Sequence, residues 1–266
     1  MAYSILIMGC DKNIHLLDTF FDFFNNNYKG EKSIYVSVEE NNFKTNNDKV
    51  KVLNFKRGMA WSERLRESIR KIDSKAILLL LDDFIVESEI ELEELDKIAA
   101  LINENDNIAC FTLNTVEMKN ASSDVYFERY YERHVFGRYK TTLQAGMWNK
   151  NELLDILNDK ENAWEIEIFA NIRSYISHRK YYALIDKSLK PLNYNDGLFC
   201  LQGKLNRNEI ERLSRKFDYD FYVKGMKDNG GVIVRDNIKF YKRVIRRIKI
   251  IIYSIKYLAK YIVERV

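Results

Sequence analysis

The chain has 266 residues, 46% hydrophobic and 31% charged, with a net charge of +4. That is enough apolar material to bury a core without staples, and Cys10, Cys110 and Cys200 lie too far apart for a disulfide framework or a zinc site. Nine Lys/Arg against one acid, Glu264, give residues 237–266 a balance of +8, which leaves −4 on the rest and excludes a surface that tracks nucleic-acid phosphates.

The first apolar run, Tyr3–Met8, is short and soon followed by charge at Asp11, so it reads as a strand rather than a secretory leader, and the expected location is cytoplasmic. From Asn13 to about Asn26, Leu16, Leu17, Phe20, Phe21 and Phe24 share one helical face, with Asp11 or Asn13 as expected cap. Strands are expected at Ser33–Val38, ending in Glu39-Glu40, and at Lys49–Leu53, then a helix from Ala60 to about Ile72. Ala76–Leu81 is a continuous apolar run, the signature of a strand covered on both faces. An acidic amphipathic helix over Glu89–Asn103 and a strand at Ile108–Leu113 complete an alternation that predicts a mostly parallel α/β sheet. Beyond Asn114 the pattern loosens into strand pieces and loop. A strand is expected at Arg138–Gln144, helices at Lys150–Leu157 and Ala163–Ile176, a strand at Tyr181–Ile185, and a short helix over 206–217. Lys227-Asp228-Asn229-Gly230-Gly231 is the strongest turn signal and the expected hinge before the tail.

Three segments carry chemistry. The Ala76–Leu81 strand ends in Asp82-Asp83, and adjacent carboxylates at a strand end suit a divalent cation that carries phosphate oxygens. The plainer alternative is that one of them caps a helix. Arg57–Leu65 leads into the helix before that strand, and a helix N-terminus with a nearby arginine favours a diphosphate; the alternative is a core-packed Trp61 and a surface arginine. Ala163-Trp164-Glu165-Ile166-Glu167 sets two carboxylates beside a tryptophan, suited to a general base or simply complementing the helix dipole.

In the tail, Val244, Ile248, Ile251, Ile255, Leu258 and Ile262 form one helical stripe with Lys242, Arg246, Lys249, Lys256 and Lys260 on the other side. Charges interrupt it too often for a bilayer span. A helix lying on an anionic membrane is expected, against the alternative of packing on its own domain or a second copy.

Taken in order, Cys10-Asp11-Lys12-Asn13, Trp61-Ser62-Glu63-Arg64-Leu65, Leu79-Leu80-Leu81-Asp82-Asp83-Phe84, Gln144-Ala145-Gly146-Met147-Trp148 and Trp164-Glu165-Ile166-Glu167 resemble bacterial GT-A fold glycosyltransferases of cell-surface polysaccharide synthesis, of the capsule or lipopolysaccharide type, over about residues 3–185. The resemblance implies a GT-A-like (Rossmann-like) α/β domain over 1–230, with a mixed, mostly parallel sheet flanked by helices. Residues 1–113 would form its nucleotide-sugar half and 114–230 its acceptor half, and by the tail's own pattern 231–266 are expected to be a basic amphipathic membrane-associating helix. The resemblance implies an inverting hexosyltransferase on the inner face of the plasma membrane, moving a sugar from a nucleotide donor such as a UDP-sugar to a lipid-linked saccharide. By the same resemblance Asp83 and Asp82 would hold Mn²⁺ or Mg²⁺, and Asp82 the donor sugar or ribose. Asp11 and Glu39 would lie near the nucleoside, Ser62 and Arg64 near the diphosphate. Glu165 or Glu167 would be the base, and Gln144, Trp148 and Trp164 would lie on the acceptor side. A sugar-phosphate nucleotidyltransferase and a non-catalytic membrane scaffold are the alternatives.

Overall fold

The computed structural model describes residues 3–9, 14–40, 43–45, 47–115, 121–126, 129–134, 136–137, 139–201, 203–221, 226–231 and 240–265. The first half alternates as expected: β1 (Tyr3–Met8), α1 (His15–Asn27), β2 (Ile34–Val38), β3 (Val50–Asn54), α2 (Trp61–Arg70), β4 (Ala76–Leu81), α3 (Leu92–Glu104) and β5 (Ile108–Thr115). Then come β6 (Ala121–Tyr126), β7 (Tyr130–Arg133), β8 (Gly146–Asn149), α4 (Lys150–Ile156), α5 (Ala163–Arg173), β9 (Lys180–Leu184), the hairpin β10 (Cys200–Leu201) and β11 (Lys204–Leu205), α6 (Arg207–Phe217) and α7 (Phe240–Arg265).

Among the described residues the main sheet has nine strands in the order β3-β2-β1-β4-β8-β5-β9-β7-β6. The pairs β3-β2, β2-β1, β1-β4 and β5-β9 are parallel, while β8 runs antiparallel between β4 and β5. Helices cover both faces. Ala76, Leu78 and Leu80 of β4 point into the core with α1 and α3, and Ile77 and Leu79 into the core with α2, α4 and α5. That double burial is why β4 is an unbroken apolar run, since neither face meets water.

One expected strand moves. The ladder holds Gly146–Asn149 rather than Arg138–Gln144, because the segment before Gly146 gives its backbone donors to distant side chains. Thr141 N–H donates to Asn171 Oδ1, Leu143 N–H to Glu167 Oε1, and Ala145 N–H to the Tyr194 hydroxyl. With those donors engaged, no strand partner can take them. The cap of α1 also differs: Ile14 takes the N-cap position without a side-chain bond, and Asp11 and Asn13 lie outside the described residues. The Lys227–Gly231 turn is tied to the body, with Leu205 N–H donating to Lys227 O, Asn229 N–H to Leu205 O, and Arg207 paired with Asp228.

Candidate active site

The chain runs outward from β1 through β2 to β3, then returns to β4 on the other side of β1. The gap beyond the carboxyl ends of β1 and β4 is therefore the topological switch point, where open α/β sheets bind ligands. Asp82 and Asp83 stand there in a turn directly after β4, and Asp82 N–H donates to Met8 O at 3.3 Å. They cap no helix: α3 starts at Leu92 behind Glu91. Burial, and then the charge of Asp82, push the Asp83 carboxyl well above its ordinary range, only partly offset by a bond from its own N–H. Its Oδ1 is buried with no hydrogen-bond partner among the described residues. A buried carboxylate oxygen left so costs free energy unless a ligand completes it.

Phe84 connects this edge of the sheet to the second half of the chain. Its ring packs on Tyr194 with centroids 4.5 Å apart. The Tyr194 hydroxyl donates to Gln144 Oε1 at 2.6 Å and accepts from Ala145 N–H, and Asn114 Nδ2 donates to Gln144 Oε1 and to Asp196 Oδ1 at 2.8 Å. Burial raises the Tyr194 phenol, and the charges of Asp196 and Asp83 raise it further. Burial works to raise the Asp196 carboxyl, but hydrogen bonds and charge from Lys190 and Lys187 hold it below its usual range. Gly197 makes the turn possible: its φ of +70° suits glycine, and a Cβ there would meet the Phe84 ring at 3.2 Å.

Asn114, Gln144 and Asp196 line a pocket of about 380 Å³ together with Thr142, Tyr139 and Glu167. Glu167 Oε1 accepts from Thr142 Oγ1 at 3.1 Å and from Leu143 N–H at 3.0 Å. The carboxylate is thereby fixed on the pocket wall, and its Oε2 makes no hydrogen bond among the described residues. Glu165 has another task. It is the N3 residue of a capping box, accepting from Asn162 N–H while Asn162 Oδ1 accepts from Glu165 N–H. Trp164 is 64% exposed and lines a neighbouring cavity of about 460 Å³ that also touches Tyr139 and Glu167.

Gln144 and Glu167 share one pocket and Trp164 shares a neighbouring cavity with Glu167, while Asp82 and Asp83 stand at the end of β4; three of the expected residues are buried elsewhere. Ser62 is fully buried, accepting from Glu161 N–H and donating its own N–H to Glu161 O. Arg64 is 1% exposed, its guanidinium donating to Gly9 O and Ser37 O at 2.7 Å each; it braces the ends of β1 and β2 from inside. Trp148 is buried in the core edge-on to Tyr181, because β8 is a central strand. Glu39 follows β2 at the same sheet edge, and Asp11 lies outside the described residues. Sequence reasoning missed Asn114, Tyr194 and Asp196. The one local signal was Asn195-Asp196-Gly197, a turn tripeptide in the Lys187–Gly197 loop.

Among the described residues no three His, Cys, Asp or Glu side chains form a ready cation cage. The orphaned Asp83 oxygen with Asp82 beside it does fit a cation that takes its remaining ligands from phosphate and water. A larger cavity of about 580 Å³ lies elsewhere, beside Glu152 and Arg179; its buried acid, Glu152, is already held by Arg179 and Tyr181.

No protein-family profile matches the sequence, and no curated protein matches it. Among solved structures the chain is similar to S. aureus TarS 1–349, at 12% identity and a TM-score of 0.48 over 72% of this chain and 59% of that one. It is similar to the same TarS fragment in complex with UDP, at 13% identity and a TM-score of 0.43 over 68% and 60%. It is also similar to the bifunctional IspDF from Campylobacter jejuni, at 10% identity and a TM-score of 0.36 over 73% and 52%. The chain thus spans less than two thirds of each of these.

Proposed function

We propose that this protein is a glycosyltransferase that moves a hexose from a nucleotide-sugar, such as a UDP-sugar, to a hydroxyl of a lipid-linked saccharide in cell-surface polysaccharide synthesis, with inversion. The observation that carries the reading is the pair Asp82-Asp83 at the switch point, one carboxylate oxygen buried and without a hydrogen-bond partner among the described residues, followed in the chain by Phe84, which packs on Tyr194 and so borders a pocket walled by Glu167. The β1–β4 crevice is where a nucleotide diphosphate would lie. Asp83 and Asp82 would hold a divalent cation there, and the chemistry Mn²⁺ or Mg²⁺ supplies, when bound, is neutralisation of the leaving diphosphate.

The rest falls to the chain's own side chains. Thr142 and the Leu143 amide hold Glu167 Oε1, so that its carboxylate takes the proton of the acceptor hydroxyl as the new C1–O bond forms and the C1–O bond to the diphosphate breaks. Gln144 and Asn114, fixed by Tyr194 and Asp196, offer amide groups to the sugar hydroxyls. Trp164 and Ile168, with Ile250 from α7, give the neighbouring cavity an apolar wall suited to the lipid-proximal end of the acceptor.

A panel of nucleotide-sugars incubated with the protein and bacterial lipid extract is expected to release nucleoside diphosphate from one donor, with label passing into the lipid fraction. Inorganic diphosphate released from a nucleoside triphosphate and a sugar phosphate would instead identify a nucleotidyltransferase and overturn the proposal.

A further inference from the structure

The helix α7 has two unlike sides. One side docks: α7 packs on α5 and on the following turn, Ser174–Ile176. Tyr253 sits 4.9 Å from Phe169 between ring centroids, stacks on Tyr257, and accepts a hydrogen bond from Arg173 Nη1 at 3.3 Å. Arg173 is itself held by the buried Glu161 carboxylate at 2.5 Å and donates to Ile156 O. Ile250 and Ser254, on this side too, line the cavity that reaches Glu167.

Among the described residues the other side is exposed. Ile245, Ile248, Ile251, Ile252 and Ile255 are 49–63% exposed, and at about 100° per residue they fall within about 60° of Ile248. A contiguous apolar strip of this kind on a folded protein marks a surface that meets something. Arg247, Lys249 and Lys256 are exposed and flank the strip, Arg247 on one side and the two lysines on the other. Among the described residues no helix is long and apolar enough to cross a membrane.

We propose that α7 lies in the interface of an anionic bilayer, its isoleucine side among the acyl chains, Arg247, Lys249 and Lys256 at the headgroups, and its tyrosine side holding the body. Charge selects this occupant. A second copy packed strip to strip would bring two sets of these cations together, whereas anionic headgroups supply the opposite charge on both flanks. Isoleucines between flanking cations match an interfacial helix, in which apolar side chains sink and basic ones reach up to the phosphates. The docked side of α7 then sets the cavity beside Glu167 close to the membrane surface. This docking does not depend on the transfer reaction, although a lipid-linked acceptor would explain its use.

The test is co-sedimentation of the full chain with vesicles of phosphatidylglycerol and phosphatidylcholine, and with phosphatidylcholine alone. Wild type is expected to pellet with the anionic vesicles, less so at high salt, and weakly with the neutral ones. Ile248→Ser/Ile251→Ser/Ile255→Ser and, separately, Lys249→Glu/Lys256→Glu are each expected to weaken binding about tenfold or more. All three residues of the first variant are exposed, so its thermal unfolding is expected to match wild type, which separates lost docking from lost folding. Wild type that stays in the supernatant with anionic vesicles, or a triple variant that binds as wild type does, would overturn the proposal. So would a dimer in sedimentation velocity that the triple variant converts to monomer, since the strip would then belong to a second copy. Nucleotide titration of the same variants is expected to be unchanged, so failure here leaves the catalytic reading standing and failure there leaves this one.

Discussion

Asp83→Asn is expected to abolish sugar transfer, by about 100-fold or more, while raising the midpoint of thermal unfolding of the metal-free protein at neutral pH. Both follow from the same buried oxygen. The Asp83 carboxyl is pushed above its ordinary range by burial and by Asp82, so the folded state holds its proton more tightly than the unfolded chain does. The stability this group contributes is full below the unfolded carboxylate pKa and is lost as pH rises through the raised folded value. At neutral pH the unfolded side chain is charged and folding must either bury that charge or bind a proton, so the wild-type carboxyl opposes folding; asparagine, which keeps the shape without the charge, removes the penalty. The stability difference between variant and wild type is expected to shrink as pH falls toward about 4, measured by thermal unfolding in EDTA across a pH series. A variant that loses stability at neutral pH would mean that Asp83 is held by a structural partner rather than waiting for a ligand.

Glu167→Gln and Glu165→Gln are expected to part company. The Glu167 carboxylate is fixed by Thr142 and Leu143 on the pocket wall, so replacing it by an amide that accepts no proton should lower kcat about 10²–10⁴-fold with KM little changed. Glutamine at position 165 keeps the capping box and should leave transfer intact; Glu165→Ala should cost only about 0.5–1 kcal/mol of stability. Steady-state kinetics and thermal unfolding on the same three proteins decide the matter. Full activity in Glu167→Gln would remove it as the base.

Much of this was legible in the sequence, for physical reasons that differ by region. The runs at Tyr3–Met8 and Ala76–Leu81 are largely apolar because helices cover both sides of the sheet, and Leu17, Phe20, Phe21 and Phe24 of α1 face the core beneath the sheet while Leu16 and Phe23 face a second cluster with α6. Such patterns are local. What could not be read are bonds whose partners lie far along the chain. Arg64 read as a diphosphate ligand or a surface cation because nothing near it in sequence announces that the Gly9 and Ser37 carbonyls will accept its hydrogen bonds. The segment before Gly146 looked like a strand because its donors go to Asn171, Glu167 and Tyr194, residues 24–49 positions away. The choice between Glu165 and Glu167 was nearer to hand, since Asn162 stands three residues before Glu165 at capping-box spacing. In the tail the isoleucine stripe was plain, but the use of Tyr253 and Tyr257 as the docking side depends on Phe169 and Arg173.

The most direct test of a nucleotide site at Asp82-Asp83 is calorimetric titration of the full chain with UDP, and then GDP, in Mn²⁺ and in EDTA. The expected result is saturable binding of one nucleotide in Mn²⁺ that EDTA removes. Neither nucleotide binding in Mn²⁺, or binding that EDTA leaves untouched, would contradict the assignment of these two aspartates.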